Sequence, residues 1–225
     1  MERDIQSDKG AHIGVMKRGG STSELRWFRG EACYVFHIMN AWEEADRITV
    51  DVMQYEQPPL FPHPDGTPTD KDKSKARLVR WTFDLSGNTD AFVRTCLDDL
   101  TGEFPRIDDR RAGLFSRHGW YACENPHGPK SGAFGGLVHR DAATGKRSTY
   151  VLPVGDATSE PIFVPHTADA CEGDGWLLAV IWRARERRSD LAVLQARNVE
   201  AGPIATAQLP HRVPFGFHGN WVAAA

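Results

Sequence analysis

The 225-residue sequence lacks a long apolar run, and it lacks an excess of charge of either sign, with a net charge of -3. A membrane-spanning helix needs about 18 or more apolar residues, so the sequence predicts no such helix. The nearly balanced charge gives no basic surface that would attract a phosphate backbone, which argues against nucleic-acid binding. Peripheral contact with a membrane is compatible with the sequence, although no feature indicates it.

Cysteine is scarce, and the four cysteines form neither a C-x-x-C pair nor a metal-binding cluster. They are Cys33, Cys96, Cys123 and Cys171. Unpaired thiols of this kind are typical of a reducing compartment. The first residues are polar, without the apolar core of a signal peptide. We therefore expect a cytoplasmic protein.

Helical periodicity is also scarce, although the pattern of residues 89–99 allows one or two helical turns. Short strands separated by turns dominate instead. Residues 78–85 alternate between apolar and polar side chains, as a half-buried strand does. Residues 176–182 are apolar on both faces, which predicts a central buried strand, with 189–196 as its hairpin partner. About a dozen such segments, at the spacing of sandwiches, barrels and propellers, predict an all-β fold.

No linker divides the sequence, so we expect a single domain over residues 1–225. Residues 1–10 are mostly polar and are expected to be disordered. Residues 57–75 contain several prolines and many charged side chains, which predicts a long surface loop.

Four segments of the sequence carry a family resemblance. In chain order they are 33–44 (CYVFHIMNAWEE), 102–108 (GEFPRID), 159–165 (SEPIFVP) followed by 172–178 (EGDGWLL), and 214–221 (PFGFHGNW). Together and in this order they resemble the carotenoid cleavage oxygenase family, which includes the retinal pigment epithelium isomerase and bacterial lignostilbene dioxygenases. The resemblance covers nearly the whole chain.

This resemblance implies a seven-bladed β-propeller with Fe(II) on its axis, of which the chain would form about the C-terminal three to four blades. His37 matches the third of four iron-binding histidines of the family, and His218 matches the fourth. Glu103 and Glu160 match glutamates that hydrogen-bond the iron-binding histidines from behind. Family chains are about twice as long, so the resemblance places the first two histidines in a part that this sequence lacks.

The implied activity is oxidative cleavage of a C=C bond in a carotenoid, apocarotenoid or stilbene, with O2 as the second substrate. Imidazole is a good ligand for ferrous iron. The second ring nitrogen of a bound histidine needs an acceptor, and a carboxylate there fixes the tautomer and the ring orientation.

Plainer interpretations stay open for each residue. His37 could be a core histidine packed within a strand, and His218 could be an ordinary turn residue. Glu103 and Glu160 could be surface acids. Structural or surface roles are expected for the other histidines, which are His12, His63, His118, His127, His139, His166 and His211.

Alternatives also stay open for the protein as a whole. One alternative is a catalytically inactive propeller remnant. Another is one half of a split enzyme that needs the missing N-terminal half. A sugar- or peptide-binding β-domain without a metal would leave the four ordered segments unexplained.

Overall fold

The structure is a computed structural model that describes residues 9–60, 62–63, 65–127 and 133–223. The chain forms two compact units, the first ending at Asp99 and the second beginning at Leu100. Residues 1–8, which make up most of the segment expected to be disordered, lie outside the described residues. The single domain expected over 1–225 stays a prediction.

The first unit is built from antiparallel strands in a two-stranded and a four-stranded sheet. Its elements are β1 (Ala11–Val15), a 3-10 helix (Thr22–Glu24), β2 (Arg26–Gly30), β3 (Tyr34–Glu44), β4 (Arg47–Tyr55), β5 (Arg77–Asp84) and β6 (Val93–Asp98). β1 pairs with β2, and β3 to β6 pair in chain order as a meander. The described residues of 57–75 contain neither a strand nor a helix.

The second unit contains a four-stranded and a five-stranded antiparallel sheet. Its strands are β7 (Gly102–Ile107), β8 (His118–Glu124), β9 (Phe134–Asp141), β10 (Arg147–Val151), β11 (Ala157–Thr158), β12 (Ile162–Pro165), β13 (Gly175–Arg183), β14 (Arg188–Gln195) and β15 (Pro203–Gln208). Two 3-10 helices lie at Asp109–Arg111 and Val199–Ala201. β7 to β10 form a meander, whereas β11 and β12 both pair with the same edge of β13. The all-β prediction is confirmed, and none of the described helices is long and apolar enough to cross a membrane.

The alternation along β5 places its large apolar side chains in the core of the first unit, as the sequence predicts. Val79, Trp81 and Phe83 are all buried there. The Phe83 ring packs against Phe28 and Phe92, with ring centroids 5.2 Å and 5.0 Å apart. Aromatic pairs of this kind add stabilisation of about 0.5–1.5 kcal/mol beyond the area they bury.

The prediction of helical turns within 89–99 is wrong, because residues 93–98 form β6 on the edge of the four-stranded sheet and the flanking residues of this stretch are not helical. Val93 and Thr95 pair with β5, opposite Thr82 and Arg80. Both are β-branched, which favours a strand over a helix. The hydrogen bonds offered by the open edge of β5 outweigh a weak local helical preference.

β13 is the central strand of the five-stranded sheet, and β14 is its hairpin partner, as predicted. Leu177, Ala179 and Ile181 point into the main core cluster of the second unit. The residues between them are only partly buried, so the expectation of burial on both faces is wrong for the second face. The reason is that the core cluster packs against one face of β13 only.

Two of the histidines expected to be structural form a buried, hydrogen-bonded pair between β8 and β9. His118 Nδ1 lies 3.0 Å from His139 Nε2. Gly173 adopts a φ of +74° against the His118 ring, where an added Cβ would come within 2.5 Å of Cδ2. Burial lowers the pKa of both rings, and the neighbouring imidazole helps to lower that of His139 to about 4. The pair is therefore neutral in the folded chain at neutral pH.

Acid should destabilise the chain through this pair. Asp141 raises the pKa of both rings and Glu172 raises that of His118, but burial outweighs these carboxylates, and Arg117 and Arg197 lower both pKa values further. Because His139 has a folded pKa of about 4 and an ordinary value of 6.5, the unfolded chain takes up its proton first. The contribution of His139 to the free energy of unfolding is fully present above pH 6.5 and is lost as the pH falls from 6.5 to 4. The total loss is about 3 kcal/mol.

Thermal unfolding measured between pH 7.5 and 4 checks this expectation. His139→Gln should flatten the pH dependence, because the amide has no proton to gain. His211→Gln, which alters an exposed histidine, should leave the pH dependence unchanged. Parallel pH profiles for His139→Gln and the parent chain would contradict the prediction.

Candidate functional site

A buried carboxylate lies where the edge of the five-stranded sheet is interrupted. Glu160 occupies the gap between β11 and β12. Ser159 keeps β13 paired across this gap: its N–H donates to Val180 O at 2.8 Å, and its Oγ accepts from Val180 N at 3.0 Å. The following residue, Pro161, has no N–H to place in a ladder. The Glu160 side chain is 4% exposed, and burying a carboxylate is costly unless it is paired.

Three groups pair with the Glu160 carboxylate. Oε1 lies 3.2 Å from His218 Nδ1, and Oε2 accepts a hydrogen bond from Gly219 N at 3.1 Å. Arg106 Nη1 lies 3.4 Å from the same Oε2. Each carboxylate oxygen therefore faces at least one donor, which compensates for its burial.

The contact with Glu160 sets the tautomer of His218. An ionised carboxylate can only accept a hydrogen bond, so the neutral ring that contacts it carries its proton on Nδ1 and its lone pair on Nε2. A metal-bound histidine held from behind by a carboxylate has this same arrangement. The His218 side chain is 55% exposed, so the ring lies at a surface of the second unit.

The His218-bearing segment has no regular secondary structure after β15, yet it is anchored along its length. Leu209 N donates to Ser189 O, and Val213 N donates to Ser189 Oγ, both at 2.9 Å. The guanidinium group of Arg212 lies 4.7 Å from the centre of the Trp182 ring, within the range of a cation–π contact. The β14 residue Ser189 thus holds the start of the segment, and Glu160 holds its end.

Removing the Ser189 hydroxyl should loosen this segment. Ser189→Ala deletes the partner of Val213 N, and such a hydrogen bond is worth about 1 kcal/mol. We expect exchange of the Val213 amide hydrogen to become about fivefold faster. Hydrogen exchange followed by NMR tests this, with Thr206→Ala on exposed β15 as the control. Equal Val213 exchange in the two variants would contradict the anchoring role.

Phe104 brings an aromatic ring to His218 through an unusual backbone conformation. Its φ is +56°, which residues other than glycine rarely adopt. It lies where the register between β7 and β8 shifts, between Glu103 and Arg106. The ring makes edge contacts with His218 and Phe134, at centroid distances of 5.8 Å and 5.5 Å. The irregularity in β7 thus places apolar surface beside the imidazole.

Glu103 is buried on β7, and its Oε2 accepts a hydrogen bond from Phe104 N at 2.7 Å. This contact helps to fix the irregular backbone at Phe104. The predicted role of Glu103, orienting a metal-binding histidine, stays a prediction.

His37 lies on β3 in the first unit and is partly buried. The pairing of β3 with β4 is irregular here, with one register shift between Val35 and Ile38, which encloses His37, and a second between Ile38 and Asn40. A bulge of this kind re-aims a side chain out of the sheet pattern. His37 and His218 belong to different units, and their sharing of one metal ion stays a prediction.

The donor set fits part of a metal centre. Within the described residues, no three histidine, cysteine, aspartate or glutamate side chains are grouped so that they could hold a metal ion. The contact with Glu160 gives His218 the tautomer and orientation of a metal-binding imidazole, and imidazole suits ferrous iron. These residues fit one position of an iron site.

Arg106 and Ser189 are among the contributors to this site that sequence reasoning overlooks. Arg106 lies within the segment 102–108, but no sequence signal separates it from an ordinary surface arginine. Ser189, the anchor of the C-terminal segment, lies in none of the four resembling segments. Both become visible only when their partners, distant in sequence, are known.

A sequence profile of the family described as Retinal pigment epithelial membrane protein matches residues 3–223. The chain belongs to this family. Isoeugenol monooxygenase from Pseudomonas nitroreducens is 37% identical over 96% of the chain, and lignostilbene-alpha,beta-dioxygenase isozyme III from Sphingomonas paucimobilis is 38% identical over 95%. A carotenoid cleavage oxygenase from Mycobacterium tuberculosis is 35% identical over 94%. The resemblance predicted from the four segments is confirmed.

Solved structures of the family have the same fold. Lignostilbene dioxygenase from Pseudomonas brassicacearum matches 97% of the chain with a TM-score of 0.91 and 33% identity. Cobalt-substituted Synechocystis ACO matches 97% with a TM-score of 0.86 and 27% identity. These carotenoid oxygenases are β-propellers, so the predicted partial propeller is confirmed. The chain spans about half the length of its relatives, with 47% of the isoeugenol monooxygenase and 48% of the lignostilbene dioxygenase covered.

Proposed function

We propose that the chain is part of a non-haem Fe(II)-dependent dioxygenase that uses O2 to cleave a C=C bond in a carotenoid, apocarotenoid or stilbene. The observation that carries this proposal is the buried Glu160 carboxylate on Nδ1 of His218. Relatives named for isoeugenol, lignostilbene and carotenoids support an alkene substrate.

In this proposal His37 and His218 are two of four iron ligands, and the other two belong to an N-terminal half that this sequence lacks. The coverage of about half of each relative supports this division. Fe(II), when bound, would activate O2 for addition across the double bond.

The residues of the second unit have distinct tasks. Glu160 holds the proton on Nδ1 of His218 and fixes the plane of the ring, so that Nε2 is presented to the metal. Phe104 and Phe134 provide apolar surface beside the ring, which suits a substrate that is mostly hydrocarbon. Glu103 is proposed to orient a metal-binding histidine in the same way as Glu160.

A second candidate is a catalytically inactive remnant, or a half that is active only with a partner. It is supported by the length of the chain, which spans about half of its relatives. The cytoplasmic location expected from the cysteines stays a prediction under either candidate.

Iron binding distinguishes a functional half of a dioxygenase from a catalytically inactive remnant. The purified chain, mixed anaerobically with Fe(II), should bind iron weakly, because two imidazoles form an open site. Co-expression with the N-terminal half of a relative, such as the Pseudomonas nitroreducens isoeugenol monooxygenase, should give tight binding of one iron per complex. That complex should form carbonyl products from isoeugenol, a stilbene or an apocarotenoid only when O2 is present. Iron analysis and product chromatography measure both outcomes.

Variants of the same complex identify the ligands. His37→Ala and His218→Ala should each lower the bound iron and abolish product formation, whereas His211→Ala should do neither. Tight stoichiometric iron in the chain alone would contradict the proposed missing ligands. Absence of iron with and without the N-terminal half would contradict the dioxygenase proposal.

Glu160→Gln should weaken metal binding without removing the ligand. The amide keeps the shape of the side chain but loses the charge that holds the Nδ1 proton of His218. Loss of such a partner lowers metal affinity about 10–100-fold. Titration of the complex with the N-terminal half with Co(II), followed by absorption spectroscopy, measures this change in affinity. Glu200→Gln at an exposed position is the matched control, and equal affinities for the two variants would count against the role of Glu160.

A further inference from the structure

Arg106 connects three groups around the candidate metal ligand. Its Nη1 lies 3.4 Å from Glu160 Oε2 and 3.5 Å from the carbonyl oxygen of Gly219. Its Nη2 donates to Asp109 Oδ2 at 3.2 Å. The Arg106 side chain is 18% exposed, so most of it is held within the protein. The guanidinium group therefore spans from an exposed carboxylate to a buried one.

These contacts close a ring of interactions around Gly219, the residue next to His218. The N–H of Gly219 donates to Glu160 Oε2, and its carbonyl accepts from Arg106. Arg106 in turn lies against the same Oε2. Both backbone groups of Gly219 are thus bound by two side chains that also contact each other. An irregular segment has no ladder to fix it, so this ring supplies the restraint that a strand would provide.

The positive charge of Arg106 also acts on the Glu160 carboxylate. Glu160 is buried, and its negative charge is stable there only if donors or a cation compensate for lost water. His218 and Gly219 provide one N–H each, and the guanidinium group provides the positive charge. Without it, the carboxylate would be under-compensated and would tend to shift towards solvent, away from His218.

We propose that Arg106 is a positioning residue for His218, acting through the Glu160 carboxylate and the Gly219 carbonyl. This rests on the proposed function in so far as His218 binds the metal. The planar guanidinium fork explains why arginine is used: it reaches Asp109 with one nitrogen while the other faces both Glu160 and Gly219. A lysine has one nitrogen and keeps only the charge.

The test uses the metal-free, isotope-labelled full chain, with two NMR readouts. One is exchange of the Gly219 amide hydrogen, and the other is the pair of His218 ring nitrogen shifts, which report the tautomer. Arg106→Gln should accelerate Gly219 exchange about fivefold or more and move the ring shifts towards a mixture of tautomers. Arg106→Lys should restore the ring shifts in part, because it keeps a cation beside Glu160. Arg185→Gln, at an exposed turn position, is the control and should change neither.

The same variants are then titrated with Co(II) in the complex with the N-terminal half of a relative. There Arg106→Gln should bind Co(II) more weakly than Arg185→Gln. Unchanged Gly219 exchange and His218 shifts in Arg106→Gln would overturn the proposal. If that variant does not fold, Arg106→Lys decides: a single nitrogen cannot hold both Glu160 and the Gly219 carbonyl while also reaching Asp109, so Gly219 exchange should still be faster than in the parent, and equal exchange would overturn the proposal. If the parent binds no metal while the metal-free differences hold, the proposed function fails and the positioning of His218 by Arg106 stands.

Discussion

Burial of the Glu160 carboxylate is the constraint on which the candidate site depends. A side chain that is 4% exposed and charged requires donors on its oxygens, and no single element supplies them. The donors come from β7, through Arg106, and from the irregular segment after β15, through His218 and Gly219. The need to satisfy one carboxylate therefore joins two sheets and a segment without regular structure. The orientation of His218 is a result of that joining.

Parts of the fold follow from local sequence patterns, because side-chain alternation encodes which face of a strand is buried. This is why the core face of β5 can be predicted from residues 78–85 alone. Residues 89–99 show the limit of that approach: whether Val93 and Thr95 form a strand depends on the open edge of β5, which a local pattern does not contain. The half-buried second face of β13 shows the same limit, since an apolar pattern indicates what a face can bury and not what packs against it.

The candidate site could be predicted only through the family resemblance, and then only in part. Segments 159–165 and 214–221 indicate Glu160 and His218, and the structure places these two residues in contact. Arg106 has no distinguishing pattern of its own, because its partner Gly219 lies 113 residues further along the chain. Phe104 is equally hidden, since a left-handed conformation at a phenylalanine is rare and no sequence rule anticipates it. Residues that act through partners distant in sequence can be recognised only in the three-dimensional structure.

The pairing of strands that are neighbours or near neighbours in sequence, found in both units, has a consequence for how such a chain is made. Among the described strands, every ladder joins segments on the same side of the Asp99–Leu100 boundary. Pairing between strands that are neighbours in sequence has a small loop-closure cost and forms early. Each sheet can therefore complete its backbone hydrogen bonds during synthesis, before the following sheet has left the ribosome. Division of the polypeptide at that boundary would sever a covalent link while leaving the described inter-strand hydrogen bonds intact.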